Sequence, residues 1–360
     1  MFPVHRGHLD ALSTSIGIYQ HARADRPDPA HGYCTDDVSR ALLVDLLHQR
    51  EIGWDTVAPS AIRNIAFLGQ AFVEATGRFR NFRTADGEWS EAPGSEDSCA
   101  RALYGLGEAI ASCPPGAPRD EARDLFERAL HASSRVTHLR PMATVLLACD
   151  AAERGGLRGE VAEVYQRVGH DLRSVFESRL VTHAWPWPEE RLTYENELPA
   201  RALITGGYRL GHRRMARIGL RVLDWLIDAQ TWQGGVLSTI GNAGWWSKGT
   251  EMAHFDQQPI SATSLLLAAD AAHRATGRER YAKAMEMSYG WFLGRNILGC
   301  CVAEPMFGAC HDGFGPAGVN ENQGAESTLM WLMAVEHIRA LRAAPPTANE
   351  VAPRVPAAVR

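Results

Sequence analysis

Apolar residues recur along this chain at intervals of three and four, the spacing of amphipathic helices. In Arg213–Gln230 the residues Met215, Ile218, Val222, Leu223 and Leu226 fall on one face. Similar stripes run through 61–75, 121–133, Glu160–Phe176 and 280–293. Strand-like alternation is rare and short, as around 235–240. The pattern predicts an all-α protein.

The helices repeat. TDDVSRALL at 35–43, EDSCARALY at 96–104 and NELPARALI at 196–204 each place Arg-Ala-Leu four residues after an acidic group. Looser copies are LRPMATVLL at 139–147, DQQPISATSLLL at 256–267 and NQGAESTLMWL at 322–332. Six anchors result: Asp36, Asp97, Arg140, Glu197, Gln257 and Gln323. Each interval has room for two helices of ~11–12 residues with their connections. Pro141, Pro199 and Pro259 fall in the first turns of their helices, where a missing N–H costs little. The chain therefore reads as six helical hairpins, the first opening with a helix over about 9–22. Connections leaving a repeated helix are short. Those entering one are mostly long, at about 24–35, 77–95, 179–195, 231–256 and 294–321, and long loops in a packed domain are usually functional or disordered. Closing six hairpins into a ring gives an (α/α)6 toroid over residues 1–342. Its repeated helices line the inside and its long loops share one face. Residues 343–360, rich in Pro and Ala without a core pattern, read as a disordered tail.

Composition adds exclusions. The 360 residues are 45% hydrophobic and 22% charged, with a formal net charge of −5. That balance argues against a nucleic-acid partner. No apolar run approaches the ~20 residues of a membrane span, and residues 1–10 lack the apolar segment of a secretion leader. Seven scattered cysteines read as free thiols in a reducing cytoplasm. Oligomeric state is not encoded in any of these features.

The long loops carry the chemistry. They concentrate carboxylates, amides and six of the ten tryptophans. Aromatic rings stack on the C–H faces of sugars, amides and carboxylates take hydroxyls, and paired carboxylates are the equipment of glycoside hydrolysis. A carboxylic acid crowded by others and partly desolvated has a raised pKa, which suits a general acid. The acid/base candidates are Asp36, Asp37, Glu96, Asp97 and Glu197, with Asp37 and Asp97 as the first pair. The substrate-binding candidates are Tyr33, Trp89, Arg140, Trp187, Tyr194, Trp245 and Trp246, with His254, Gln257, Gln258, Glu321, Asn322 and Gln323. Any one of these acids could simply cap a helix, but caps do not require clustered Trp and amides. The register of Arg40, Arg101 and Arg201 reads as structural, pairing with carboxylates inside the ring. No metal or cofactor is expected: Cys300, Cys301, Cys310 and His311 lack a zinc-type spacing, and no phosphate-binding glycine loop is present.

The segments HGYCTDD (31–37), GSEDSCARALYGLG (94–107), WPWPEERLTYENELPARALI (185–204), IGNAGWW (240–246), FDQQPI (255–260) and DGFGPAGVNENQGAESTLMWL (312–332) together resemble a bacterial family of six-hairpin glycosidase-like proteins. Its members often carry a glycosyltransferase label and occur alone, or fused behind a glycosyltransferase domain, near mannoside phosphorylase-type enzymes. The resemblance covers about 8–342 and implies carbohydrate chemistry in an (α/α)6 barrel. A more distant resemblance to unsaturated glucuronyl hydrolases implies catalytic roles for Asp36 or Asp37 and for Asp97.

The resulting expectation is a glycoside hydrolase acting on oligosaccharides, mannosides included, with inversion. A phosphorylase would need a cationic site, for which Arg140 and Arg191 are available. An epimerase would need a base such as His31, His254 or His311. A non-catalytic glycan-binding protein is the alternative of a different class.

Overall fold

The computed structural model describes residues 3–90, 94–178 and 181–344. Twelve helices follow one another: α1 (Gly7–Leu12), α2 (Thr35–Ile52), α3 (Trp54–Ala71), α4 (Glu96–Ser112), α5 (Ala117–Ser133), α6 (Leu139–Arg154), α7 (Glu160–Phe176), α8 (Glu197–Arg209), α9 (Arg213–Gln230), α10 (Pro259–Thr276), α11 (Glu279–Phe292) and α12 (Ala325–Ala343). The even-numbered helices pack side by side in sequence, and α12 returns to α2, closing a ring. Helices α3, α5, α7, α9 and α11 each pack outside the inner helix before them, and α1 packs on α12. This is the (α/α)6 toroid.

Burial separates the two layers. In α6 every residue from 139 to 152 except Met142 is buried, as expected for a helix walled on all sides. Outer helix α9 instead buries one stripe, including Met215, Val222, Leu223 and Leu226. Small residues let the inner ring close. A Cβ on Gly107 of α4 would lie 2.6 Å from the Ala148 carbonyl of α6. Between the layers, a Cβ on Gly207 would lie 2.4 Å from the Ala216 nitrogen.

Loop lengths follow the expected asymmetry. One residue, Gly53, joins α2 to α3, whereas 231–258 and 293–324 lead into α10 and α12. The long loops are braced by small antiparallel ribbons. Tyr19–Arg23 pairs with Arg26–Cys34, which pairs in turn with Phe82–Arg83. Arg191–Leu192 pairs with Trp246–Ser247.

Two expectations are corrected. The first helix stops at Leu12, and Tyr19–Arg23 is a strand. Ser13 bonds back to the Leu9 carbonyl, and the Thr14 hydroxyl accepts from the Ile16 and Gly17 amides; these local bonds replace the helical ones. The alternation at 235–240 forms no ladder. Gly234 turns left-handed at φ 75° inside a 3-10 turn, and Leu237 makes only isolated bridges. The expected tail lies almost wholly outside the described residues, past the end of α12 at Ala343. Among the described residues no helix is long and apolar enough to cross a membrane.

Candidate active site

The inner helices start at the loop face, and their second residues mark its centre. Asp36, Asp97, Ile260 and Glu326 hold that position in α2, α4, α10 and α12. All four line a cavity of ≈ 310 Å³, together with Tyr194, Asn242, Trp245, Gln258, Arg40 and Arg101. One helical turn deeper, Arg40 and Arg101 form its floor. Arg40 pairs with Asp37 at 3.0 Å and Glu326 at 2.9 Å. Arg101 pairs with Glu195 and reaches Asp36 at 3.6 Å.

The carboxylates differ in environment. Asp36 has one oxygen, Oδ1, buried without a partner. Desolvation raises its pKa, against Arg101 and Arg40, and the charges of Asp97 and Glu326 push the same way as burial. Burial likewise raises Glu326, opposed chiefly by Arg40. Asp97 accepts a 3.0 Å hydrogen bond from the Tyr194 hydroxyl. Burial works against ionisation of Glu195 too, but Arg101 and Arg40 overcome it and hold its pKa below the ordinary value.

Backbone strain marks the same place. Glu195 and Trp245 adopt positive φ, at 45° and 61°, a region non-glycine residues seldom occupy. Such conformations persist where surrounding structure enforces them, often at functional sites. Here the ribbon between Arg191–Leu192 and Trp246–Ser247 ties the two loops together. Arg140 fixes the first of them: its guanidinium donates to the Tyr194 carbonyl, the Thr193 hydroxyl and Asn196 Oδ1, and stacks 4.5 Å from the Tyr194 ring centroid.

Of the residues singled out in the sequence, Asp36, Asp97, Tyr194, Trp245 and Gln258 meet in this cavity. The others lie elsewhere. Both Asp37 oxygens are engaged, by Arg40 and by the Cys34 thiol at 3.1 Å. Glu96 accepts from the Thr137 and His138 amides and both their side chains. Burial opposes the effect, but these bonds lower its pKa to about 2. Glu197 is buried against Gln230 at 2.7 Å. Tyr33 stacks on Tyr19 in the core, and Trp187 packs on Phe176. Trp89 meets Phe67 edge-on, while Trp246 stacks on Trp225. Gln257 is fully buried and bonded to Thr239, Trp291 and Ser238. His254 bonds Ser238, and Gln323 bonds Glu304. Asn322 accepts from the Ala24 amide, and Glu321 is exposed. Cys310 is buried and Cys301 exposed, and His311 contacts Glu304.

Glu326, Arg40, Arg101, Asn242 and Ile260 were not among the expected site residues. Glu326 had a readable signal: it opens α12 as Asp36 opens α2. Anchoring the sixth repeat on Gln323 placed the register three residues early.

Comparison with solved structures bears on the fold. A sugar epimerase from a ruminal bacterium superposes with a TM-score of 0.70 at 12% identity, covering 93% of this chain and 95% of that one. Cellobiose 2-epimerase from Bacillus thermoamylovorans gives 0.67 at 11% identity over 92% and 97%. The GH76 α-mannanase from Bacteroides thetaiotaomicron gives 0.62 at 10% identity over 92% and 93%. The chain shares their fold. At these identities the likeness extends no further. No family model matches the sequence, and no curated protein matches it.

Proposed function

We propose that this protein is a glycoside hydrolase acting on oligosaccharides, mannosides among them. We also place it with the six-hairpin family it resembles, on the toroid part of those proteins, with residues 1–342 as one catalytic domain. Its free thiols suit a cytoplasmic setting. One observation carries the reading. Asp36, Asp97 and Glu326 face one cavity beside Trp245, Tyr194, Asn242 and Gln258. That set can stack a sugar ring, bond its hydroxyls and supply acid and base.

The roles follow from the surroundings. Asp36 is the general acid: burial and two neighbouring carboxylates favour its protonated form, and its partly exposed side chain lines the cavity. Asp97, held by the Tyr194 hydroxyl, is the base that activates water. Glu326 keeps the Asp36 proton in place through its charge. Asp36 and Asp97 hold the same register on adjacent inner helices, whose axes pack ~8–10 Å apart. We infer inversion, which requires the two carboxyls to stand ~6.5–9.5 Å apart rather than the ~5–5.5 Å of retaining enzymes. Asp36 replaces Asp37 in the first pair because both Asp37 oxygens are already engaged.

The alternatives have less to stand on. Among the described residues no histidine lines this cavity, which favours hydrolysis over an epimerase that uses His31, His254 or His311 as its base. Arg40 and Arg101 are matched by Asp37, Glu195 and Glu326, and Arg140 is committed to its loop, which leaves no unpaired cation among the described residues lining this cavity. The test is a panel of manno-, gluco- and galacto-oligosaccharides with and without phosphate, read by mass spectrometry. Shortened oligosaccharides without a phosphate requirement are expected. A sugar phosphate formed only with phosphate would replace hydrolysis by phosphorolysis. Binding without any product would make this a glycan-binding protein.

A further inference from the structure

A second cavity, of ≈ 580 Å³, fills the other end of the ring, below Arg40 and Arg101. Its outer rim is set by the last turns of the inner helices, with Arg50, Arg154, Arg209 and Arg274. Arginines there have an ordinary explanation, since helix C-termini attract cations. Its middle is apolar, walled by Leu43, Leu47, Leu147, Leu267 and Met333.

Arg201 breaks that apolar belt. It lies in the second turn of α8, away from any helix end. Its guanidinium donates to the Tyr104 hydroxyl at 2.8 Å and lies over the Tyr104 ring at 5.7 Å. Among the described residues no carboxylate lies within ion-pair distance of it, and Glu108 and Asp270 act on it only from farther away. The acids that share its cavity are occupied: Glu195 by Arg101, Glu108 by Arg154 at 2.6 Å, and Asp270 by Arg274 and His337 at 2.8 Å each. Asp150 is taken by Arg154 at 3.2 Å and by the Tyr165 hydroxyl at 3.0 Å. Arg40 and Arg101 carry the same repeat position in α2 and α4, and both have carboxylate partners. Arg201 alone of the three lacks one. Arg201 is partly buried and lines the cavity, and its planar fork matches a carboxylate.

We propose that this lower cavity binds an organic anion with an apolar body, the carboxylate on Arg201 and the body against the leucine belt. The site is separate from the carbohydrate cavity and does not depend on what that cavity does. The probes are octanoate for a chain, 3-phenylpropionate for a ring, octan-1-ol for the apolar body alone and inorganic phosphate for the charge alone. Binding is followed by calorimetry and by ligand-observed NMR on the full chain.

At least one of the two carboxylates should bind saturably, and octanol and phosphate should bind at least tenfold more weakly. Arg201→Met should weaken carboxylate binding at least tenfold, as expected on removing a charge-assisted pair. Leu267→Trp, which fills the belt and leaves Arg201 in place, should do the same, so the result does not rest on one variant folding. Asp97→Asn, at the other end of the ring, should leave it unchanged. No saturable binding of either carboxylate, equal binding by folded Arg201→Met and wild type, or loss of binding in Asp97→Asn would each overturn the proposal.

Discussion

Asp36 and Asp37 are neighbours in sequence with opposite surroundings, and replacing each by asparagine separates chemistry from architecture. Asp36 faces the cavity, has an unpartnered oxygen and meets Arg101 only at 3.6 Å. Its replacement by asparagine breaks no short bond, so stability should change by less than about 1 kcal/mol. Loss of a general acid typically lowers the rate about 10²–10⁴-fold, or ~2.7–5.4 kcal/mol of barrier. Asp37 is buried, accepts from Arg40 at 3.0 Å and from the Cys34 thiol, and lies outside the cavity lining. Its asparagine variant turns an amide toward Arg40 and should cost about 1–3 kcal/mol of stability. Its kcat should fall less than tenfold. The assay is kcat on the most active oligosaccharide, paired with urea unfolding of each variant. Asp36→Asn retaining more than a tenth of wild-type kcat would refute the assignment. So would Asp37→Asn losing kcat as severely while keeping wild-type stability.

Four further outcomes follow from the same geometry. Glu326→Gln removes a charge that raises the Asp36 pKa and frees Arg40 to lower it, so the alkaline limb of kcat/KM should move to lower pH; a pH profile reads this directly. The depressed Glu96 pKa, about 2 against an ordinary 4.5, gives a stability contribution that is present above pH 4.5 and lost as pH falls toward 2. Glu96→Gln should flatten the acid limb of a stability–pH curve in that window. Trp187→Ala should cost ~3–5 kcal/mol because the ring is fully buried,, whereas Trp245→Ala should raise KM several-fold with little loss of stability; denaturation and kinetics together separate the two. Gly107→Ala, with its new Cβ 2.6 Å from the Ala148 carbonyl, should destabilise by ~1–3 kcal/mol in the same unfolding assay.

The toroid was legible because its signals are local and repeated. Helical stripes, prolines in first turns and an acid four residues before an arginine all survive in one sequence. The first helix misled because the apolar positions over 9–22 continue past Leu12 while Ser13 and Thr14 close it off with their own hydroxyls. Within the site, Asp36 and Asp97 could be read from the repeat, and Tyr194 and Trp245 from the aromatic content of the long loops. Separating Asp36 from Asp37 could not, since a rotation of about 100° along α2 decides which faces the cavity. The fates of Tyr33, Trp187, Trp246 and Gln257 were equally hidden. An aromatic or amide in a long loop reads alike whether the loop folds it inward against other rings or leaves it facing the mouth. Arg201 was read with Arg40 and Arg101 as a paired structural residue, and only the three-dimensional pairing shows it standing apart.

The central claim is that the carboxylates of the upper cavity cleave a glycosidic bond with the aid of water. Real-time proton NMR of a cleaved oligosaccharide in deuterium oxide, with phosphate present, tests it most directly. The account predicts a shortened product whose newly released reducing sugar first appears with the anomeric configuration opposite to that of the bond cut. It also predicts no carbon-bound deuterium and no sugar phosphate. An oligosaccharide of unchanged length carrying deuterium at C2 of its reducing-end sugar would contradict the account and make this protein an epimerase.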